Sequence, residues 1–246
     1  MNPVDNLYRG RPGGLVLRAD DPADGSLMHG HFTKFDEWTE IDSWFEGRFL
    51  ERSVKGSFRK TIREARDQVK VQFDHGYDAH IGDALLGPID VLREDDEGPY
   101  YEVPLLDTDY NRDRVLPMLQ GRLMNGEQRG SLLGASYRFR VTKEDWNRSA
   151  KMSDHNPEAL PERTIREVRL FEFGPVVFPA FPGATSKVRS LTDHYLERQR
   201  VRADRHIEAD QPVTSLDETD EPPIGHSDAI PADPRRLCMV AALAAL

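Results

Sequence analysis

Gly134-Ala135-Ser136-Tyr137-Arg138-Phe139-Arg140-Val141 alternates residue by residue. Tyr137, Phe139 and Val141 fall on one side and Ser136, Arg138 and Arg140 on the other, the period of a strand with one apolar and one polar face. Tyr101, Val103 and Leu105 repeat the pattern, as does Arg166-Glu167-Val168-Arg169-Leu170-Phe171-Glu172-Phe173. Strict alternation along this last segment puts Glu172 on the face of Val168 and Leu170. Val71-Gln72-Phe73-Asp74-His75-Gly76 reads as a further strand, with His75 continuing the face of Val69, Val71 and Phe73 and Gly76 ending it.

Two segments carry helical spacing instead. In residues 56–70, Phe58, Ile62, Ala65 and Val69 form one apolar stripe, with Ser57 as the cap. In residues 113–123, Val115, Leu116, Leu119 and Leu123 do the same. Asp113 is the expected cap there, which places Pro117 in the first turn, where its missing N–H is not needed. The strands do not alternate with helices as in a parallel βαβ series. The expected class is α+β: a β-rich, mostly antiparallel, barrel-like core with two or three flanking helices and a disordered C-terminal tail.

Composition divides the chain. Residues 191–246 hold eleven Asp or Glu against six Arg and no Lys, which is half of the net charge of −10. Between His206 and Pro234 there are eight acidic residues, five prolines and no Phe, Tyr or Trp. Such a stretch cannot bury enough apolar area to offset its ordering entropy, so 191–246 reads as a disordered acidic tail, with a short exposed helix over 192–205 leading into it. Residues 1–25 read as a loose N-terminal arm, leaving 26–190 as the packed domain.

The bulk numbers exclude several functions. A net charge of −10 disfavours nucleic acid and anionic membrane surfaces. The single cysteine, Cys238, rules out an internal disulfide framework and fits a reducing compartment. The first residues lack the basic-then-apolar layout of a secretory signal, and no run of eighteen apolar residues could span a membrane as a helix. His29, His31, His75 and His80 match no zinc spacing, so neither metal nor cofactor is expected. Asp95-Asp96-Glu97 before Gly98, and Asp107-Thr108-Asp109, read as turn chemistry.

Three residues could carry a reaction. A histidine on an apolar face is more often a hydrogen-bonded core residue than a base, yet strand ends are where sites are built, and His75 has both attributes. Ser136, on a polar face, is either solvated or a nucleophile, and Gly134 and Ala135 before it leave room for a peptide to approach the backbone. A serine within reach of a histidine is the minimum for an activated hydroxyl. Glu172, on an apolar face, must be paired, either with a neighbouring arginine or with His75.

Four blocks of this sequence resemble a family. They are Gly30-His31-Phe32 with Phe35-Asp36-Glu37-Trp38, Ile41-Asp42-Ser43 and Glu46-Gly47-Arg48-Phe49; Lys55-Gly56-Ser57-Phe58; Phe73-Asp74-His75-Gly76 with Ile81-Gly82; and Gly134 to Phe139 with Leu170 to Pro182. Over roughly residues 27–185 the chain resembles the tailed-bacteriophage prohead (capsid maturation) serine proteases, a family similar in fold to the herpesvirus assemblin proteases. The resemblance implies His75 as general base and Ser136 as nucleophile. The assemblin triad ends in a second histidine. Here the corresponding region offers Glu172, while His155 lies in a 153–161 loop that looks inserted, and Glu172 is the preferred third member. The family has Gly where Arg138 stands and Ser where Gly174 stands. Backbone amides near the small residues before Ser136, or near Arg163 or Arg166, are the candidates to hold an oxyanion.

The implied activity is that of a serine endopeptidase. It would cut scaffold, or the N-terminal scaffolding segment of the major capsid protein, and itself, inside the assembling prohead in the host bacterial cytoplasm. The major capsid protein is the implied partner. The tail with its apolar end at 237–246 could dock on portal or scaffold, a homo-oligomer is compatible with the sequence, and no nucleic acid or membrane partner is expected. The rival readings are a catalytically inactive assembly or scaffolding protein of the prohead and a hydrolase of another ester or amide.

Overall fold

The computed structural model describes residues 6–11, 15–17, 26–178 and 191–209. Within these residues ten strands follow in chain order: β1 (Leu7–Arg11), β2 (Leu15–Leu17), β3 (Leu27–His31), β4 (Thr39–Ser43), β5 (Gly47–Ser53), β6 (Lys70–Val71), β7 (Val91–Glu94), β8 (Pro99–Pro104), β9 (Gly134–Asn147) and β10 (Glu162–Val176). The helices are α1 (Arg59–Ala65), α2 (Leu116–Gln120) and α3 (Leu191–Ala209). One sheet has the order β1-β9-β10-β5-β4, with β6 also pairing β10; the other is β2-β3-β8-β7. Pairing is antiparallel except where β10 meets β5 and β6. The α+β, mostly antiparallel class therefore stands. No closed barrel is found: among the described residues no ladder between these strands joins the two sheets.

The alternation of β9 is realised as written. Tyr137 and Phe139 enter the main core, together with Leu170 and Phe173 of β10 and Tyr101 and Val103 of β8. Phe173 meets Tyr101 at 4.7 Å and Phe32 at 5.0 Å between ring centroids, which locks one sheet onto the other. Each such ring contributes about 1.5–3 kcal/mol by leaving water.

Between its partners β5 and β6, β10 has no strand on that edge, and α1 with the turn before it supplies hydrogen bonds there. Val168 N–H donates to the Ser57 carbonyl at 2.9 Å, the Thr61 hydroxyl donates to the Val168 carbonyl at 2.7 Å, and Leu170 N–H donates to Thr61 Oγ1 at 3.2 Å. This helix is shorter than the expected 56–70, because residues 66–68 tighten into a 3₁₀ turn. Ser57 does not cap it; Glu94 of β7 accepts the Phe58 N–H at 2.8 Å instead. The second helix also differs from expectation. Asn111–Val115 winds as a wide π turn ahead of α2, so Asp113 lies inside the helical stretch, and Pro117 enters at the first α positions.

The two ends of the domain reach further than composition suggested. Residues 7–11 and 15–17, within the expected loose arm, are strands, and Leu7 and Tyr8 are buried. β1 pairs with the edge of β9, and Leu7 and Tyr8 carry apolar area out of water there. At the other end the expected exposed helix is α3, whose Thr192, Asp193 and Tyr195 are buried; the compact unit runs to Glu208 rather than 190. The rest of the tail lies outside the described residues.

Candidate active site

The site forms on the face of β9 and β10 that points away from the main core. Ser136 of β9 lies opposite Gly174 of β10, and Arg138 opposite Glu172. Strict alternation would have put Glu172 on the core face with Leu170. A bulge intervenes: Leu170 pairs with Phe139 but Glu172 with Arg138, two residues of β10 against one of β9. That one extra residue turns Glu172 to the other face, beside Ser136.

His75 is not on a strand. β6 stops at Val71, and Phe73–Gly76 makes a tight turn in which Asp74 (φ 46°) and His75 (φ 55°) are both left-handed. For non-glycine residues this conformation costs on the order of 1–3 kcal/mol and persists only where the surroundings impose it. Here they do. Asp74 accepts hydrogen bonds from the Tyr195 hydroxyl at 2.7 Å and from Arg198 Nη1 at 2.6 Å, both on α3. Arg198 Nη2 also donates to the Tyr77 carbonyl at 2.8 Å. The imidazole is held edge-on between Tyr8 (4.9 Å) and Tyr195 (4.4 Å). Burial pushes both phenols far above their ordinary range, so these walls stay neutral.

The turn places His75 between the other two side chains. Nδ1 is hydrogen-bonded to Glu172 Oε1, and Nε2 lies 2.7 Å from Ser136 Oγ. The side chains of His75 and Glu172 are 1% and 0% exposed, and Ser136 is fully buried. Arg138 brings a positive charge 3.5 Å from Glu172 Oε1. A cleft of about 470 Å³ opens beside His75 between Gln72, Asp83, Arg138 and Arg202; Ser136 does not line it.

Other expected candidates lie elsewhere. His155 is on the surface, bonded to Ser153 and Glu162, and reaches neither His75 nor Ser136. Arg163 and Arg166 sit on β10 eleven and eight residues before Gly174, and at about 3.3 Å per residue their amides are out of reach of Ser136. His31 pairs with Asp95, which also accepts the Glu97 and Gly98 amides in the β7–β8 turn. Among the described residues no three His, Cys, Asp or Glu side chains are grouped to hold a metal. The departure at position 174 has a steric reason: a Cβ there would lie 2.0 Å from the Gln72 carbonyl oxygen. Residues missed by sequence reasoning are Tyr8, Asp74 and Tyr195. The signal available for Asp74 was its residue type, since Asp tolerates the left-handed region better than most.

A carboxylate, an imidazole and a hydroxyl joined in that order can make the hydroxyl a nucleophile: the acid fixes the proton on Nδ1, leaving Nε2 free to accept from Oγ. This is the constellation of a serine hydrolase. The family model of the caudovirus prohead serine protease (Peptidase S78) matches residues 14–198, and the chain belongs to that family. The family is one of serine peptidases of bacteriophage capsid maturation. No curated protein and no solved structure matches the chain, so the likeness to the assemblins rests on the sequence resemblance alone.

Proposed function

We propose that this protein is the endopeptidase that trims the scaffold, or the N-terminal scaffolding segment of the major capsid protein, within the assembling prohead. The observation that carries this reading is the unbroken hydrogen-bonded chain from Glu172 through His75 to Ser136, all three inside the residues matched by the family. In the first step Ser136 Oγ bonds to the substrate carbonyl carbon while its proton moves to His75 Nε2. Glu172 stabilises the imidazolium that forms. That proton then passes to the departing amine nitrogen as the C–N bond breaks, leaving an acyl-serine. Water, deprotonated by the same imidazole, splits the ester and restores the hydroxyl.

The turn that holds His75 supports this role, because backbone strain of this kind is maintained where a side chain must be aimed. Co-expression with the neighbouring capsid gene tests the reading. Shortened capsid protein is expected with the wild-type chain and none with Ser136→Ala. Full-length capsid protein beside a folded wild-type chain would favour the scaffolding alternative.

A further inference from the structure

The nucleophile is covered by the chain's own N-terminal strand, and the way it is covered resembles a bound peptide. β1 pairs antiparallel with the edge of β9, Gly10 opposite Ser136 and Arg9 opposite Tyr137. Ser136 Oγ lies 2.8 Å from the Arg9 carbonyl oxygen as well as 2.7 Å from His75 Nε2. A serine has one proton to give, so the Arg9 carbonyl competes with the imidazole for it. The peptide bond between Arg9 and Gly10 therefore stands directly beside the nucleophile.

The Arg9 side chain enters a built pocket. Nε and Nη2 donate to the two oxygens of Glu51 at 2.6 and 3.2 Å, and Nη2 and Nη1 to the two oxygens of Glu46 at 2.8 and 3.0 Å. Nη1 also reaches the Tyr8 carbonyl at 3.0 Å and Thr192 Oγ1 at 2.9 Å. The Arg9, Glu46 and Glu51 side chains are 10%, 7% and 6% exposed. Arg163 shares the pocket, at 3.1 Å from Glu51 and 3.5 Å from Glu46, and pairs with Glu144. With Arg9 present, two cations meet three carboxylates; without it, Arg163 alone faces all three. Glu144 is partly exposed, but Glu46 and Glu51 are buried and would then share Arg163 with it, which is costly, so the pocket selects a cation, and two forked carboxylates suit a guanidinium better than an ammonium. The family match begins at residue 14, after β1, yet includes the pocket and the nucleophile.

We propose that β1 stands in the substrate's place: the peptide cut by this protein adds to the edge of β9 as β1 does. It carries arginine, or less favourably lysine, at the residue whose carbonyl meets Ser136, with that side chain received by Glu46 and Glu51. The edge supplies backbone hydrogen bonds and the pocket supplies selectivity, the division of labour of strand-addition recognition. β1 must leave the edge before a substrate enters.

The inference rests on Ser136 as the nucleophile, and the test separates the two. Full-length wild-type, Arg9→Ala and Ser136→Ala chains are incubated with decapeptides that differ only at one central position, and cuts are mapped by mass spectrometry. The expected result is Ser136-dependent cutting after arginine at least tenfold faster than after leucine or glutamate. Arg9→Ala is expected to cut at least tenfold faster than wild type, because β1 has lost its anchor. Adding Glu51→Gln to Arg9→Ala should shrink the preference for arginine by tenfold or more. Ser136-dependent cutting with no preference for a basic residue overturns the proposal and leaves the nucleophile intact. No Ser136-dependent cutting of peptides or capsid protein removes the nucleophile assignment, and the proposal with it.

Discussion

Among the described residues two groups of serine, histidine and glutamate are joined by hydrogen bonds, and only one of them has the surroundings of a reactive site. In the first, His75 Nδ1 meets Glu172 and Nε2 meets Ser136 at 2.7 Å. In the second the ring is used the other way round: His155 Nδ1 meets Ser153, two residues away, at 3.1 Å, and Nε2 meets Glu162 at 3.0 Å. The His75 side chain is 1% exposed and that of His155 44%. His155 stacks flat on Trp38 at 5.3 Å, an arrangement that any surface loop can adopt. His75 is wedged edge-on between two buried tyrosines, on a strained turn tied to α3. Connectivity of residue types is thus a weak sign of chemistry. Exclusion of water is the stronger one, because charge–charge interactions gain several-fold when the surroundings are less polarisable.

Substitution in the two groups should separate them most sharply at the serines. Ser136→Ala is expected to lower kcat by about 10⁴- to 10⁶-fold, as for other nucleophiles that act as one unit with their base. Ser153→Ala should leave the rate of capsid-protein shortening within about twofold, as expected for an exposed side chain outside the site. Similar losses in both would abolish the distinction. The acids come next. Glu172→Gln is expected to cost about 10³- to 10⁴-fold in kcat by releasing the imidazole tautomer. Glu162→Gln should leave kcat alone and cost about 1–2 kcal/mol in unfolding free energy from a urea titration, since the mostly covered carboxylate accepts from Asn156 and Asn147 as well as His155. A glutamine at 172 with full activity would return the third role to another residue.

Packing around the buried group gives a smaller effect. Gly174→Ser restores the residue the family carries, but its Cβ would lie 2.0 Å from the Gln72 carbonyl oxygen. Destabilisation of about 1–3 kcal/mol is expected from equilibrium unfolding; an unchanged midpoint would mean that β6 shifts freely beside the site. Smallest is a pH effect on β1. Burial pushes the Glu46 carboxyl up, but the charge and hydrogen bonds of Arg9, with Arg163 behind it, outweigh this and hold it below its ordinary value. A depressed folded-state value contributes stability above the unfolded value, and that stability is lost as pH falls through the folded one. The protection factors of the β1 amides, exchange rates corrected for the intrinsic slowing in acid, should therefore fall as pH drops below the ordinary carboxylate range. Protection that persists through that range would show that β1 is held by Leu7 and Tyr8 alone.

Periodicity carried much of this. Tyr137 and Phe139 went to the core and Ser136 and Arg138 to the opposite face because a period of two leaves a strand no other choice. The need to pair a glutamate among apolar neighbours was equally readable, and Glu172 is indeed buried and paired. Its face was not readable, since a bulge has no signature in the alternation it interrupts. Nor was the left-handed pair at Asp74 and His75, which depends on α3 more than a hundred residues away.

By itself, then, the sequence determined the class of fold, the strand that presents Ser136, the resemblance to prohead proteases and the three residues worth testing. Those are consequences of local period, residue chemistry and order along the chain. Tertiary structure alone decided that His75 sits in a turn, that Glu172 rather than His155 meets it, and that β1 lies over Ser136 with Arg9 between Glu46 and Glu51. These are contacts between segments 37 to 127 residues apart. No local pattern encodes them; they follow from which edge and which face remain uncovered once the two sheets have packed.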